Sequence, residues 1–79
     1  MYGRRIKELR ESVNLSQEEL GNALGDKYGE KYRCTQNAIS KYEKEQREPR
    51  TDLLIKIAKY FGVSMDYILG IDDKKTPRL

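Results

Sequence analysis

Apolar residues recur along this chain at helical spacing, and capping and breaking residues divide it into five short segments. Ile6, Leu9 and Val13 fall at i, i+3 and i+7 among charged neighbours, which predicts a first helix over about residues 3–13 with Asn14 as a left-handed stop. Ser16-Gln17-Glu18-Glu19 has the form of a capping box, with Leu15 before it and Leu20 after it placed for a hydrophobic staple. A second helix carrying Leu20, Ala23 and Leu24 follows. Thr35 is placed to cap a third helix that runs to about Lys44, and the polar stretch from Glu45 to Arg50 ends it with Pro49. Thr51 or Asp52 is expected to cap a fourth, with Leu54, Ile57, Ala58 and Phe61 on one face and Gly62 closing it. Val63-Ser64 repeats the staple and cap before a short fifth helix containing Met65, Ile68 and Leu69, which Gly70 ends. The expected fold is one all-α bundle over residues 1–71, followed by a charged tail, residues 72–79, expected to fray.

The third segment sorts its side chains into two chemically opposite faces. At about 100° per residue, Gln36, Ser40, Lys44, Asn37 and Lys41 fall within roughly 140° of arc, with Ala38, Ile39 and Tyr42 on the other side. One face suits a core. The other carries amides, a hydroxyl and ammonium groups, the donors and acceptors that read base edges and phosphates in duplex DNA. Those residues fit an ordinary amphipathic helix with a solvated face equally well.

Composition narrows the choice. A chain of 79 residues leaves little room for a large enclosed active site. With 16 Lys and Arg against 13 Asp and Glu the net charge is only +3, so its distribution matters more than its sum. Residues 1–10 hold four basic and one acidic residue, and residues 27–50 hold seven and four, whereas residues 51–73 hold two and four. Positive charge is therefore concentrated at the amino end and around the two-faced segment. There is no histidine, and Cys34 is the single cysteine, so neither a disulfide nor a zinc-ligand set can be assembled, and no cofactor is expected. Cys34 reads as a small buried hydrophobe. A charged amino end and the lack of a long apolar run predict a soluble protein of the reducing cytoplasm with no membrane partner.

Leu15-Ser-Gln-Glu-Glu-Leu20, then Ile39-Ser-Lys-Tyr-Glu43, Arg47-Glu-Pro49, Leu54-Ile-Lys-Ile-Ala58 and Val63-Ser-Met-Asp-Tyr-Ile-Leu-Gly70 occur in this order. Together they resemble the lambda-repressor-like helix-turn-helix family of Cro and phage repressors, from about Arg4 to Gly70. The resemblance implies five helices, the second across the DNA backbone and the third in the major groove. It further implies base contacts from Gln36, Asn37 and Lys41, with Ser40 at the edge of that set. Backbone contacts would come from Gln17, Lys44, Arg47 and Arg50, and Arg33 joins them as a basic residue of the adjoining segment. Arg10 and Glu43 match a partly buried ion pair that orients the reading helix.

The departure from the family pattern lies between Leu24-Gly25 and Cys34, where Asp26-Lys-Tyr-Gly-Glu-Lys-Tyr-Arg33 intervenes as two copies of acidic-Lys-Tyr-x. Leu20, Leu24 and Tyr28 at i, i+4 and i+8 predict that the second helix runs on to Tyr28, stops at Gly29 and leaves a loop through Arg33. Either an added DNA-backbone contact or a solvent loop with Tyr28 packed on the bundle fits this insert. The expected function is a sequence-specific DNA-binding transcriptional regulator, a repressor that binds a palindromic operator as a homodimer. Tyr67, Ile68, Leu69 and Ile71 are the apolar residues expected to form the dimer surface. The alternative is a protein-binding module of the same fold, such as an antitoxin or bridging factor. An enzyme is not expected, because a catalytic constellation has almost nothing here to be built from.

Overall fold

Local signals and tertiary contacts together place five α-helices in the computed structural model, which describes residues 2–75: α1 (Tyr2–Ser12), α2 (Gln17–Tyr28), α3 (Gln36–Glu43), α4 (Thr51–Phe61) and α5 (Met65–Ile68). One 3₁₀ turn, Glu30–Tyr32, lies between α2 and α3, and no strand occurs among the described residues. Residues 76–79 of the expected tail lie outside the described residues.

Three of the helix starts follow from side-chain caps that supply acceptors for otherwise unpaired first-turn amides. The Ser16 hydroxyl accepts from the Glu19 N–H at 3.0 Å, and the Glu19 carboxylate accepts from the Ser16 N–H at 2.8 Å. Thr35 accepts from the Ala38 N–H at 3.1 Å and Ser64 from the Tyr67 N–H at 3.0 Å. The fourth start differs from the expected one. Thr51 is already helical, Arg50 holds the cap position without a side-chain cap bond, and Asp52 accepts from the adjacent Leu53 N–H at 2.9 Å. Asp52 thus sits two positions past the cap, where its charge still complements the helix dipole.

Ile6, Leu9, Leu20, Leu24, Ile39, Tyr42, Leu53, Leu54, Ile57, Ala58, Val63, Tyr67 and Ile68 form the core. Two expectations change here. Val13 lies beyond the end of α1, after which Asn14 turns left-handed with φ 60°, and Val13 is 53% exposed while Arg10 takes the inward position. Tyr67 and Ile68 belong to the core, so of the four residues expected at a dimer surface only Leu69 and Ile71 are exposed. Tyr67 also carries the Arg5 guanidinium 4.1 Å from its ring centre, and Arg5 reaches Asp73 at 2.8 Å.

The insert is ordered differently from the expected loop. Helix α2 does run to Tyr28 and stop at Gly29, whose φ of 110° suits glycine, but the next three residues wind into the 3₁₀ turn. Arg33 fastens it. Its guanidinium donates to Glu30 at 2.8 and 2.7 Å, to Asp26 at 2.7 Å and to the Asn22 carbonyl at 3.2 Å. The guanidinium can lie across α2 because residue 25 is glycine: a Cβ there would come within 2.7 Å of Arg33 Nε and Cζ. Tyr28 and Tyr32 pack against the core, and the Lys56 ammonium of α4 stands 5.4 Å from both rings. At the insert's end the Cys34 N–H donates to the Gly21 carbonyl at 3.2 Å, and a Cβ on Gly21 would overlap the Cys34 carbonyl.

Helices α1, α2 and α3 meet at one buried ion pair. Arg10 donates to Glu43 through Nε at 2.6 Å and Nη2 at 3.1 Å, and through Nη1 to the Leu15 carbonyl at 2.8 Å. Gln17, at the start of α2, donates to the same carboxylate at 3.1 Å. The Glu43 side chain is 3% exposed. Hydrogen bonding to Glu43 pushes the Arg10 pKa above its ordinary value, although burial opposes this, so the guanidinium stays charged. Every buried polar side-chain atom among the described residues has a partner.

Two outcomes are expected in urea unfolding. Gly21→Ala should lose about 2 kcal/mol or more, since the clash is with backbone and cannot be relieved by a rotamer change; wild-type stability would show that α2 and Cys34 can separate. Glu43→Ala should cost about 3 kcal/mol by stranding Arg10, whereas Arg10→Met combined with Glu43→Leu should cost clearly less. Equal losses would mean that the charges themselves, rather than a stranded charge, carry the stability.

Candidate nucleic-acid interface

Ile39 and Tyr42 anchor α3 in the core, and Glu43 is held by Arg10 and Gln17, so the rotation of α3 about its axis is fixed from two sides. That rotation turns Gln36, Asn37, Lys41 and Lys44 outward, while Ser40 is half-buried at the edge of the same face. None of the four outward side chains has a partner among the described residues. The faces expected from the sequence are therefore the faces observed, with free amides and ammonium groups on the solvent side.

The segment after α3 is pinned to α1 and to the end of α3. Glu45 adopts φ 57°, the Gln46 N–H donates to the Lys41 carbonyl at 2.9 Å, and the Glu45 carboxylate accepts from the Gly3 N–H of α1 at 3.1 Å. Gly3 allows this approach, because a Cβ there would overlap the Glu43 carbonyl. Tyr2 donates to the Arg47 carbonyl at 3.3 Å, and Pro49 is buried. Arg47 and Arg50 are thus presented from a held loop rather than a free one.

Charge compensation separates closely paired basic residues from free ones, with Lys31 and Arg50 in between at 3.6 and 3.7 Å from Asp52. Arg4, Arg5, Arg10 and Arg33 each pair with a carboxylate at 3.2 Å or less. Lys41, Lys44 and Arg47 have no acidic partner among the described residues, so their charge is available to a polyanion. Arg33, expected at the DNA backbone, spends its guanidinium on Asp26, Glu30 and Asn22 and holds the insert in place. Gln17 is only half free: one amide hydrogen goes to Glu43 and the second remains for another acceptor. The sequence did not reveal this link between Gln17 and Glu43, because two residues 26 positions apart carry no local signal of contact.

An open cleft of about 420 Å³ lies beside α3, with Thr35 and Ala38 in its wall and Lys31, Arg33, Arg47 and Arg50 around it. Cys34 sits at this cleft, and its thiol donates to the Tyr32 carbonyl at 3.4 Å. Burial raises the thiol pKa, while Arg50 and Arg47 pull it down. A thiol held protonated is a poor nucleophile, in keeping with a packing role. Among the described residues no group of three or more His, Cys, Asp or Glu side chains could hold a metal ion, and no helix is long and apolar enough to cross a membrane.

The family model for the helix-turn-helix matches residues 6–68. The chain is 37% identical over 71 residues to the HTH-type transcriptional regulator ImmR of Bacillus subtilis, covering 90% of this chain and 50% of that protein. It is 32% identical over 79 residues to the uncharacterized HTH-type transcriptional regulator YobD of the same organism, covering 100% of this chain and 63% of that protein. The cryptic phage CTXphi transcriptional repressor RstR of Vibrio cholerae is 30% identical over 79 residues, covering 94% and 64%. The chain spans about half to two-thirds of the length of these curated relatives. No solved structure matches it at a significant level. With the ordered helices, the outward polar face of α3 and a family match across most of its length, this chain belongs to the helix-turn-helix family of the Cro and phage-repressor type.

Proposed function

We propose that this chain is the DNA-binding part of a transcriptional regulator that reads an operator with α3 in the major groove. The observation that carries this reading is the outward face of α3, where Gln36, Asn37, Lys41 and Lys44 are exposed on a fixed helix and free of partners among the described residues. Gln36 and Asn37 have the donor and acceptor pair that matches the major-groove edge of adenine, and Lys41 suits guanine acceptors or a phosphate. Ser40 contributes at the margin of the contact. Lys44, Arg47 and Arg50 supply backbone contacts, and the second amide hydrogen of Gln17 offers another, so that a phosphate bound there is coupled to the carboxylate that orients α3.

A relative named as a transcriptional repressor favours repression as the regulatory sign. A single α3 makes too few base contacts to select one site in a genome, which favours a homodimer on a palindromic operator with half-sites about one helical turn apart. Exposed Leu69 and Ile71, beside α5, offer a small apolar surface for that pairing.

Two outcomes test the proposal on duplexes recovered by selection from a random-sequence pool. Replacing Gln36 and Asn37 with alanine should erode discrimination by about 1–3 kcal/mol at each base contacted while leaving the melting temperature near wild type. An unchanged site preference would remove α3 from the reading role. A dimer that neutralises about six phosphates should bind roughly a thousandfold more weakly at 200 mM than at 50 mM salt; a flat response would point to a partner other than DNA.

A further inference from the structure

Three elements deliver cations to the cleft beside α3: Lys31 from the 3₁₀ turn of the insert, Arg47 from the α3–α4 segment and Arg50 from the start of α4. Two of them converge on one carboxylate. Asp52 Oδ2 lies 3.6 Å from Lys31 Nζ, and Asp52 Oδ1 lies 3.7 Å from Arg50 Nε. Both separations exceed a good hydrogen bond, and the Lys31 and Arg50 side chains are 64% and 62% exposed, so these are weak pairs that a competing anion can displace. One carboxylate beside Lys31 and Arg50, with Arg47 lacking an acidic partner among the described residues, leaves an excess of positive charge at the cleft. It also marks a point at which an anion is already held between Lys31 and Arg50.

The position of Lys31 is not that of a free loop residue. The 3₁₀ turn is held by the Arg33 fan of hydrogen bonds and by Tyr28 and Tyr32 packed on the core around Lys56, so little order remains to be gained on binding. The cleft wall contains Thr35 and Ala38, from the cap and first turn of α3, which places the opening next to the face carrying Asn37 and Lys41. A duplex read by that face brings its phosphodiester backbone past the opening.

We propose that the insert supplies a phosphodiester clamp, in which Lys31 joins Arg47 and Arg50 on one backbone phosphate and Asp52 is the resident counter-ion that the phosphate displaces. This rests on the DNA-binding reading above. The contact is sequence-independent: it adds affinity and fixes register, and it reads no base. Asp52 then sets how readily the site accepts the backbone.

The test is a salt titration of fluorescein-labelled duplexes, one selected from a random pool by the wild-type protein and one of scrambled sequence. Lys31→Ala should lower the log–log salt slope by about 0.9 for each protomer bound, by the same amount on both duplexes, and Lys31→Arg should restore it. Asp52→Asn keeps an oxygen acceptor for the Leu53 N–H, so it should fold normally, bind both duplexes more tightly at 50 mM salt and steepen the slope. A Lys31→Ala slope equal to wild type overturns the clamp while the DNA reading stands. A loss confined to the selected duplex also overturns it, by making Lys31 a base reader. Wild-type protein that binds neither duplex overturns both.

Discussion

The buried contact of Arg10 with Glu43 is the constraint on which the arrangement of this molecule depends. A carboxylate with a 3% exposed side chain is tolerable only while it is paired, so α1 and α3 must stay at the distance and rotation that let Arg10 reach it through two donors. Gln17 brings the start of α2 to the same oxygen, and the remaining guanidinium donor holds the Leu15 carbonyl just ahead of the Ser16 cap. Apolar packing of Ile39 alone would let α3 roll, because hydrophobic contact has no direction. The ion pair gives the helix an angular reference. The outward direction of Gln36 and Asn37 is therefore set by a residue near the other end of the helix that touches no ligand.

Much of this was legible in the sequence wherever a physical signal acts within a few residues. Ser16 with Glu19, Thr35 and Ser64 announce helix starts because each cap bonds an amide three positions on. Gly29 and Gly62 announce ends because their backbones are left-handed or otherwise closed to a side chain. The two faces of α3 follow from periodicity alone. What the sequence concealed depends on where distant segments meet. Val13 looked like a core position by spacing, but the helix ends before it and Arg10 is drawn inward by a partner 33 residues away. Tyr67 and Ile68 looked surplus to a short helix, yet they close the core beneath Arg5. The acidic-Lys-Tyr repeat read as a loop because its order comes from Arg33 folding back over Gly25, a contact with no periodic signature.

The candidate site shows the same division. Counting charges located the positive end of the molecule but could not separate free cations from spent ones. Arg33 and Lys44 look alike in the sequence. In the structure Arg33 is consumed by two carboxylates of its own insert, whereas Lys44, at the C-cap of α3, has no carboxylate partner among the described residues. A basic residue on a surface is therefore a weak guide to a polyanion until its local acids have been assigned.

The hydrogen bond from Cys34 to the Gly21 carbonyl has a bearing on how such chains diversify. It brings the backbone, after α2 has run on to Tyr28 and the 3₁₀ turn has doubled back, to the flank of that same helix. Helix α3 is consequently positioned by that junction and not by the length of what precedes it, and the entropic cost of a longer detour grows only slowly. The exposed stretch from Gly29 to Lys31, rather than the core residue Leu24 or the packed Tyr28 and Tyr32, is thus where the detour can change in length while the reading helix stays where it is, a property that lets new surface be added to an old scaffold without re-solving its geometry.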